Sequence, residues 1–346
     1  MKNTILILTL FAALVVTSLW FSTPDLPLLT TEDRSHAQTE GTAFSFVELS
    51  EGTVHYRMEG PELAPALVLV HGFSTPSFVW NDYFPLLSEA GYRVISFDNY
   101  GRGFSDRPEG NYSAGRTDQL LIELLDYLNI TRPVHLVGYS MGGATAAIFT
   151  QRHPTKVRSL SLIAPAGTGE TSLMQNALSL PVVGEIVMGT LGPRIVGSAT
   201  LTAAEKSPDP QAFLTSFELQ TSFAGYYDAL LSTLRHYPLT GSEPALLAIG
   251  ETGLPVQLIW GEADDRVPFA QAEPMSDLLP QANLHSFPKI GHDITFSQVD
   301  QVAPLLIAFV EENRLRQSTG GAGGKARGPG ARMEPADCLC HGEDQL

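Results

Sequence analysis

The chain has 346 residues, of which 43% are hydrophobic and 17% are charged, so it is long enough for one large domain with an insertion or for two small domains. Its formal net charge of −16 argues against binding to nucleic acid and against electrostatic docking on an anionic membrane. Both cysteines, Cys338 and Cys340, lie near the carboxyl terminus, so the rest of the chain has no disulfide framework. His341 follows them, but without a second pair of ligands we expect an unstructured tail there and no metal site.

The amino-terminal segment predicts export or membrane attachment. Lys2 precedes an almost unbroken apolar run over residues 5–21, which is typical of a secretory signal peptide. The same run is close to the shortest length that spans a membrane. We therefore expect a periplasmic or secreted protein, or one anchored in a membrane through residues 5–21. The polar segment 22–42 is predicted to be a linker.

Short apolar or β-branched runs alternate with helical patterns along most of the chain. Residues 78–90 and 116–128 carry apolar side chains at helical spacing. Strands that alternate with helices predict an α/β fold, with an open, twisted, mostly parallel sheet and helices on both faces. This core is predicted to cover residues 43–166 and 254–316. The predicted strands are 44–47, 54–57, 66–70, 92–97, 134–137, 160–163, 256–260 and 284–287.

Residues 167–253, called the insertion below, interrupt this alternation. They contain no clear strand and are predicted to form several helices separated by prolines. An insertion of this size between two strands is a candidate helical lid over a site. Its apolar side chains would pack it onto the core, and we expect some of them to line an acyl pocket. They are Leu173, Met174, Leu178, Ile186, Val187, Met188 and Phe223. The glycine-rich segment 317–346 is predicted to be a disordered tail.

The pentapeptide from Gly138 to Gly142 lies between an apolar strand and a helix of small residues. Its pattern, Gly-Tyr-Ser-Met-Gly, is typical of a nucleophile elbow, a sharp strand-to-helix turn that lifts a serine hydroxyl clear of the sheet. Such a turn strains the backbone at Ser140 and brings its neighbours close to other backbone, which requires glycine at both ends. Ser140 is therefore the candidate nucleophile.

A serine nucleophile needs a base within hydrogen-bond reach, and an acid that orients this base. After such an elbow the acid and then the histidine follow along the chain. His292 comes after the last predicted strand through a glycine turn, whereas the other histidines beyond the insertion's start lie elsewhere. His236 lies in the insertion, His285 within a strand and His341 in the tail. His292 is therefore the candidate base.

The acid is predicted to lie in the turn that follows the strand 256–260. Glu262, Asp264 and Asp265 all occur there, and each of them is a candidate. The turn after the preceding predicted strand reads Ala-Pro-Ala and offers no carboxylate.

An oxyanion formed on Ser140 needs two backbone N–H donors. Met141, the residue after the nucleophile, supplies one by position. The loop after strand 66–70 begins His71-Gly72-Phe73, and the N–H of Phe73 is the second predicted donor. We expect His71 to support this loop structurally and not to act as a general base.

Four segments in this order resemble the α/β-hydrolase superfamily: His71-Gly72-Phe73, residues 98–108, the elbow, and Gly291-His292. The resemblance covers residues 44–314 and implies that 98–108 is a structural loop near the site. The acid turn of that family reads Gly-x-x-Asp-x-x-Val-Pro, which here selects Asp264 over Asp265. Haloalkane dehalogenases and epoxide hydrolases of the family carry Asp at the nucleophile position, so Ser140 argues against both activities.

The resemblance implies a serine hydrolase of carboxylic esters, similar to carboxylesterases and lipases. We expect it to act on short- to medium-chain acyl esters, small or lipid-like, through an acyl-enzyme on Ser140. No metal or organic cofactor is implied. Relatives that hydrolyse carbon–carbon bonds of ring-cleavage products use the same triad, and this alternative predicts a basic pocket, for which the insertion offers Arg194, Lys206 and Arg235. A non-catalytic binding protein of the same fold is a further alternative.

Overall fold

A computed structural model describes residues 26–39 and 44–319. An eight-stranded β-sheet lies at the centre of the fold. Its strands lie side by side in the order β1-β2-β4-β3-β5-β6-β7-β8. Strand β2 pairs antiparallel with β1 and β4, and all other pairs are parallel. The strands are β1 Ser45–Leu49, β2 Gly52–Glu59, β3 Ala66–Val70, β4 Arg93–Phe97, β5 Val134–Tyr139, β6 Val157–Ile163, β7 Val256–Gly261 and β8 Asn283–Phe287.

Helices cover both faces of the sheet, and a group of them lies between β6 and β7. The helices of the core are α2 Tyr83–Glu89, α3 Ala114–Tyr127, α4 Met141–Arg152, α11 Ala272–Leu278, α12 Ile294–Ser297 and α13 Val299–Thr319. Those between β6 and β7 are α5 Leu173–Ser179, α6 Val183–Thr190, α7 Gly192–Ala204, α8 Pro210–Thr221, α9 Tyr226–His236 and α10 Glu243–Gly250. Helix α1, Thr31–Thr39, precedes the sheet.

The predicted α/β architecture is confirmed, because each predicted strand overlaps an observed one. One predicted helix is divided. Residues 78–90 form a short 3₁₀ helix, Ser77–Trp80, followed by α2. Pro85 explains the break, since proline fits the first turn of a helix and would disrupt its interior.

The central strands are buried on both faces, which accounts for their continuous apolar sequence. Every residue of β3, β5 and β7 is buried, whereas β8 lies at an edge and is partly exposed. The carboxyl ends of β3, β5, β7 and β8 carry the loops that contain the candidate site residues. In parallel sheets these ends meet at one edge, and ligands bind there.

The helices of the insertion differ in how far their apolar side chains are buried. Helices α8 and α9 contribute the buried residues Phe213 and Tyr226, and Phe213 packs against Phe78 and Phe296 of the core. Helices α5 to α7 leave large apolar side chains in solvent, such as Leu173, which is 88% exposed. Of the insertion residues expected to be apolar contacts, Leu178, Met188 and Phe223 are buried, and Leu173 and Met174 are exposed. That these helices act as a lid stays a prediction.

Part of the expected linker 22–42 folds as helix α1 and packs on the domain. Arg34 donates from Nε to the carbonyl of Phe104 (3.0 Å) and forms an ion pair with Asp106. The carbonyl of Pro27 accepts a hydrogen bond from the N–H of Ala224 in the insertion (2.9 Å). These contacts join residues far apart in sequence, so the polar composition of the segment did not reveal them.

The predicted signal or anchor segment, residues 5–21, lies outside the described residues, as do residues 40–43 and 320–346 with both cysteines. Helix α13 extends to Thr319, the third residue of the predicted tail 317–346. Among the residues that the structure describes, no helix combines the length and the hydrophobicity of a membrane span.

Replacing Arg34 with alanine tests the attachment of α1. We expect Arg34→Ala to lower the free energy of unfolding by about 1–3 kcal/mol, because it removes charge-assisted hydrogen bonds from a buried side chain. Urea unfolding of the full chain measures this change. Ser35→Ala, at an exposed position on the same helix, is the control with an expected change below about 0.5 kcal/mol. Equal stability of both variants would contradict the assigned contact.

Candidate active site

Ser140 occupies the turn between β5 and α4 with a strained backbone. Its φ is 54° and its ψ is −121°, a conformation that non-glycine residues rarely adopt. Neighbouring backbone holds it there: its N–H donates to the carbonyl of Ile163 (3.0 Å), and its carbonyl accepts from the N–H of Ala166 (2.9 Å). Two glycines make the turn possible. A Cβ on Gly138 would lie 2.2 Å from the carbonyl oxygen of Gly142, and one on Gly142 would lie 2.2 Å from that of Val70.

Ser140, His292 and Asp264 form a continuous hydrogen-bonded chain. The Oγ of Ser140 lies 3.0 Å from Nε2 of His292, and Nδ1 of His292 lies 2.7 Å from Oδ2 of Asp264. The second oxygen of Asp264, Oδ1, accepts from the backbone N–H groups of Arg266 and Val267 at 2.9 Å each. An ionised carboxylate accepts from Nδ1–H, so Nε2 is the acceptor for the serine hydroxyl.

The other two acid candidates, Glu262 and Asp265, have partners other than His292. Glu262 accepts from the hydroxyl of Ser286 (2.7 Å), and the side chain of Asp265 is 84% exposed beside Arg266. The side chain of Asp264 is fully buried. The structure therefore brings the carboxylate selected by the family resemblance next to His292.

His292 lies in the turn after β8, and contacts to its backbone and ring fix its position. The hydroxyl of Tyr139 donates to the carbonyl of His292 (2.8 Å), and the two rings pack with centroids 5.1 Å apart. The next residue, Asp293, forms an ion pair with Lys206 at the end of the insertion's helix α7 (2.7 Å). The role of Tyr139 was not foreseen, although it occupies a variable position of the elbow pattern.

The loop that begins at His71, called the β3 loop below (residues 71–76), packs directly against the elbow. A Cβ on Gly72 would lie 3.3 Å from the ring of Tyr139 and 3.4 Å from the Cβ of Ser140. Phe73 follows this glycine in the β3 loop. Met141 is the first residue of α4, where backbone N–H groups have no acceptor within the helix. Met141 directly follows Ser140, and that the N–H groups of Phe73 and Met141 bind an oxyanion stays a prediction.

His71 is buried and fully hydrogen-bonded to backbone. It donates from Nδ1 to the carbonyl of Gly72 (2.8 Å), and its Nε2 accepts from the N–H of Asn99 (2.9 Å). Burial lowers the pKa of His71 to about 4, so the ring is neutral near pH 7. Both ring nitrogens of His71 are hydrogen-bonded to backbone, so the ring stabilises the β3 loop and has no free nitrogen for proton transfer.

The loop 98–108 contributes a second set of buried contacts. Asp98 accepts from the N–H and hydroxyl of Ser77 (2.8 and 2.6 Å) and from Nδ1 of His55 (2.7 Å). Burial alone would raise the pKa of Asp98, but the adjacent His55 and the Ser77 hydroxyl hold it below its usual range. Asp98 therefore stays ionised and, from its position directly after β4, contacts β2 and the 3₁₀ helix that follows the β3 loop.

The geometry defines a serine–imidazole–carboxylate site at the carboxyl edge of an α/β sheet. An imidazole placed in this way can accept the serine proton and is stabilised in its charged form by the buried carboxylate. Within residues 26–39 and 44–319, no group of three or more His, Cys, Asp or Glu side chains is arranged to hold a metal ion.

The chain belongs to the α/β-hydrolase fold family, whose model matches residues 65–298. A 2-hydroxy-6-oxo-6-phenylhexa-2,4-dienoate hydrolase of Comamonas testosteroni is 26% identical over 79% of this chain and 98% of its own length. An uncharacterised protein of Mycobacterium tuberculosis is 29% identical over 69% of this chain and 74% of its own. Among solved structures, a membrane phospholipase A described as a bacterial virulence factor has a TM-score of 0.65 and 25% identity. The match covers 91% of this chain and 99% of that one.

Two glycine substitutions test the elbow. We expect Gly142→Ala to lower the free energy of unfolding by more than about 2 kcal/mol, because the added methyl group meets the carbonyls of Val70 and His71. Gly197→Ala in α7 is the matched control, since its Cβ meets nothing within 4 Å. It should raise stability by about 0.5–1 kcal/mol. Chemical denaturation distinguishes the two, and a Gly142→Ala protein of wild-type stability would refute the close backbone contact.

Proposed function

We propose that this protein is a serine hydrolase of carboxylic esters. The observation that supports the proposal best is the unbroken hydrogen-bonded chain from Ser140 through His292 to buried Asp264. In this mechanism His292 accepts the Ser140 proton as the hydroxyl attacks the ester carbonyl. Asp264 holds the imidazole tautomer and stabilises its charged form. The alcohol leaves with a proton from His292, and a water molecule then hydrolyses the acyl-enzyme.

The N–H groups of Phe73 and Met141 are the proposed donors to the oxyanion in both steps. Met141 begins α4, whose amino-terminal dipole favours negative charge at the same point. Losing one such donor typically costs about 10²–10³-fold in rate.

The proposed substrates are short- to medium-chain acyl esters, including lipid-like ones. The exposed apolar side chains of α5 to α7 support this class, since they present apolar surface to solvent. The similarity to a membrane phospholipase A, which extends over 91% of this chain, supports it independently. We further propose export or anchoring through residues 5–21. Pro27, farther along the chain, contacts the insertion, because its carbonyl accepts a hydrogen bond from the N–H of Ala224.

Hydrolysis of carbon–carbon bonds is the second candidate, and the Comamonas testosteroni relative favours it. It would require a cation that is available for a substrate carboxylate. Arg235 is instead paired with Glu185 through both terminal nitrogens (2.6 and 2.9 Å), and Lys206 is paired with Asp293. Arg194 lies exposed on α7. The pairings of Arg235 and Lys206 argue against these two residues as ligands of a substrate carboxylate, and the complete hydrogen-bonded chain disfavours the non-catalytic alternative.

A panel of p-nitrophenyl esters from C2 to C16 tests the proposed reaction. We expect turnover by the wild type and its loss, by about 10⁴-fold or more, in Ser140→Ala, because the nucleophile is absent. Measuring 2-hydroxy-6-oxo-dienoate cleavage by the same proteins tests the second candidate. Cleavage of the dienoate without ester turnover above the Ser140→Ala background would favour carbon–carbon hydrolysis.

Paired amide substitutions test the assignment of the acid. Asp264→Asn should lower kcat by about 10³–10⁴-fold, because the amide stabilises neither the required tautomer nor the charged imidazole. Asp265→Asn changes the exposed neighbour and should leave kcat within about twofold of the wild type. Steady-state kinetics on the best ester of the panel gives both values. Equal losses in the two variants would refute the role assigned to Asp264.

A further inference from the structure

Arg102 lies in the middle of the loop 98–108 and is buried without a carboxylate partner among the described residues. Its Nε donates to the carbonyl of Phe73 (2.9 Å), and its Nη2 donates to the hydroxyl of Thr233 in α9 (2.9 Å). The guanidinium carbon is 5.6 Å from the centroid of the Phe73 ring. Burial lowers the pKa of Arg102 to about 10, which leaves it charged near pH 7.

A buried cation is costly unless negative charge or good acceptors compensate it. Here the acceptors are one hydroxyl and the carbonyl of the residue that supplies the proposed second oxyanion donor. Arg102 and Met141 also line one small cavity of about 10 Å³, which has room for at most one water molecule. Arg102 thus contacts the backbone of one proposed donor residue, Phe73, and lines the same cavity as the other, Met141.

Ser74, which follows Phe73 in the β3 loop, is hydrogen-bonded by two side chains of the insertion. The carbonyl of Ser74 accepts from Nε2 of Gln220 in α8 (2.9 Å) and from the hydroxyl of Tyr226 in α9 (2.8 Å). Both side chains are at most 2% exposed. Gln220 also accepts from the N–H of Gly103 (3.1 Å), which ties α8 to the loop that carries Arg102.

We propose that Arg102, Gln220 and Tyr226 are positioning residues for the oxyanion donors, and that α8 and α9 are a fixed part of the active site. This inference rests on the proposed ester hydrolysis. Hydrogen bonds from these side chains to the carbonyls of Phe73 and Ser74 fix the two peptide groups that follow Phe73, which restricts the backbone rotation at Phe73 that orients its N–H. Because preorganised donors stabilise the transition state more than the bound ester, the three residues should affect kcat more than KM.

Arg102→Met, which keeps the volume and removes the charge and hydrogen bonds, is the main test. We expect kcat on p-nitrophenyl esters to fall by about 10–100-fold, with KM within about threefold of the wild type. Arg102→Lys, which keeps the charge, should recover part of the loss. Tyr226→Phe removes one hydrogen bond and should lower kcat by about 3–10-fold. Tyr112→Phe is the control, because that hydroxyl donates to the carbonyl of Pro108 and not to the β3 loop.

Inhibitor affinity separates positioning from general disruption of the fold. A trifluoromethyl ketone forms an oxyanion on the serine, whereas the amide of the same acyl group does not. Affinity for the ketone should fall across the variants in proportion to kcat/KM, and affinity for the amide should stay constant. Equal losses of both affinities would overturn the proposal.

Thermal unfolding of each variant accompanies these measurements. If Arg102→Met does not fold, Tyr226→Phe carries the test, and wild-type kcat in that variant would overturn the proposal. If the wild type hydrolyses the esters and the variants have the same kcat, only this inference is refuted. A wild type without ester turnover refutes the proposed function itself.

Discussion

The close backbone contacts around Ser140 are the constraint on which the rest of the site depends. Conformations such as the one at Ser140 typically cost about 1–3 kcal/mol and persist only when their surroundings enforce them. Here the surroundings are the carbonyls of Ile163 and Val70 and the N–H of Ala166, which belong to neighbouring strands and their loops. The parallel core of the sheet is therefore the frame that exposes the hydroxyl, and the glycines at 138 and 142 are the residues that allow it.

The remaining elements place complementary groups around that hydroxyl. The loops after β7 and β8 bring Asp264 and His292 together, and Tyr139 fixes the His292 backbone from within the elbow itself. Hydrogen bonds to backbone carbonyls hold the β3 loop in place. Neutral His71 donates to the carbonyl of Gly72, and Arg102, Gln220 and Tyr226 donate to those of the next two residues. Helices α8 and α9 thus contact the β3 loop directly, while helices α5 to α7 leave several large apolar side chains exposed.

Local patterns revealed the strands, the elbow and the order of the candidate site residues, because each has a sequence period or a fixed spacing. Choosing Asp264 among three acids required the family pattern, since a turn rich in carboxylates contains no local signal for the buried one. No local sequence pattern indicated the contacts between residues that are far apart in the chain. Ser74 is hydrogen-bonded to Gln220 and Tyr226, which lie 146 and 152 residues later in the sequence. Arg34 is hydrogen-bonded to Asp106, which lies 72 residues later. The break before α2 depended on Pro85, whose helical position only the structure settles.

Covalent labelling with a fluorophosphonate, followed by intact-mass and peptide mass spectrometry, tests the central claim most directly. The probe reacts with a serine hydroxyl that an adjacent imidazole activates, and it requires no knowledge of the natural ester. We expect one adduct per chain, located on Ser140, and strongly slowed labelling in His292→Ala. An unlabelled wild-type protein, or an adduct on another residue, would contradict it.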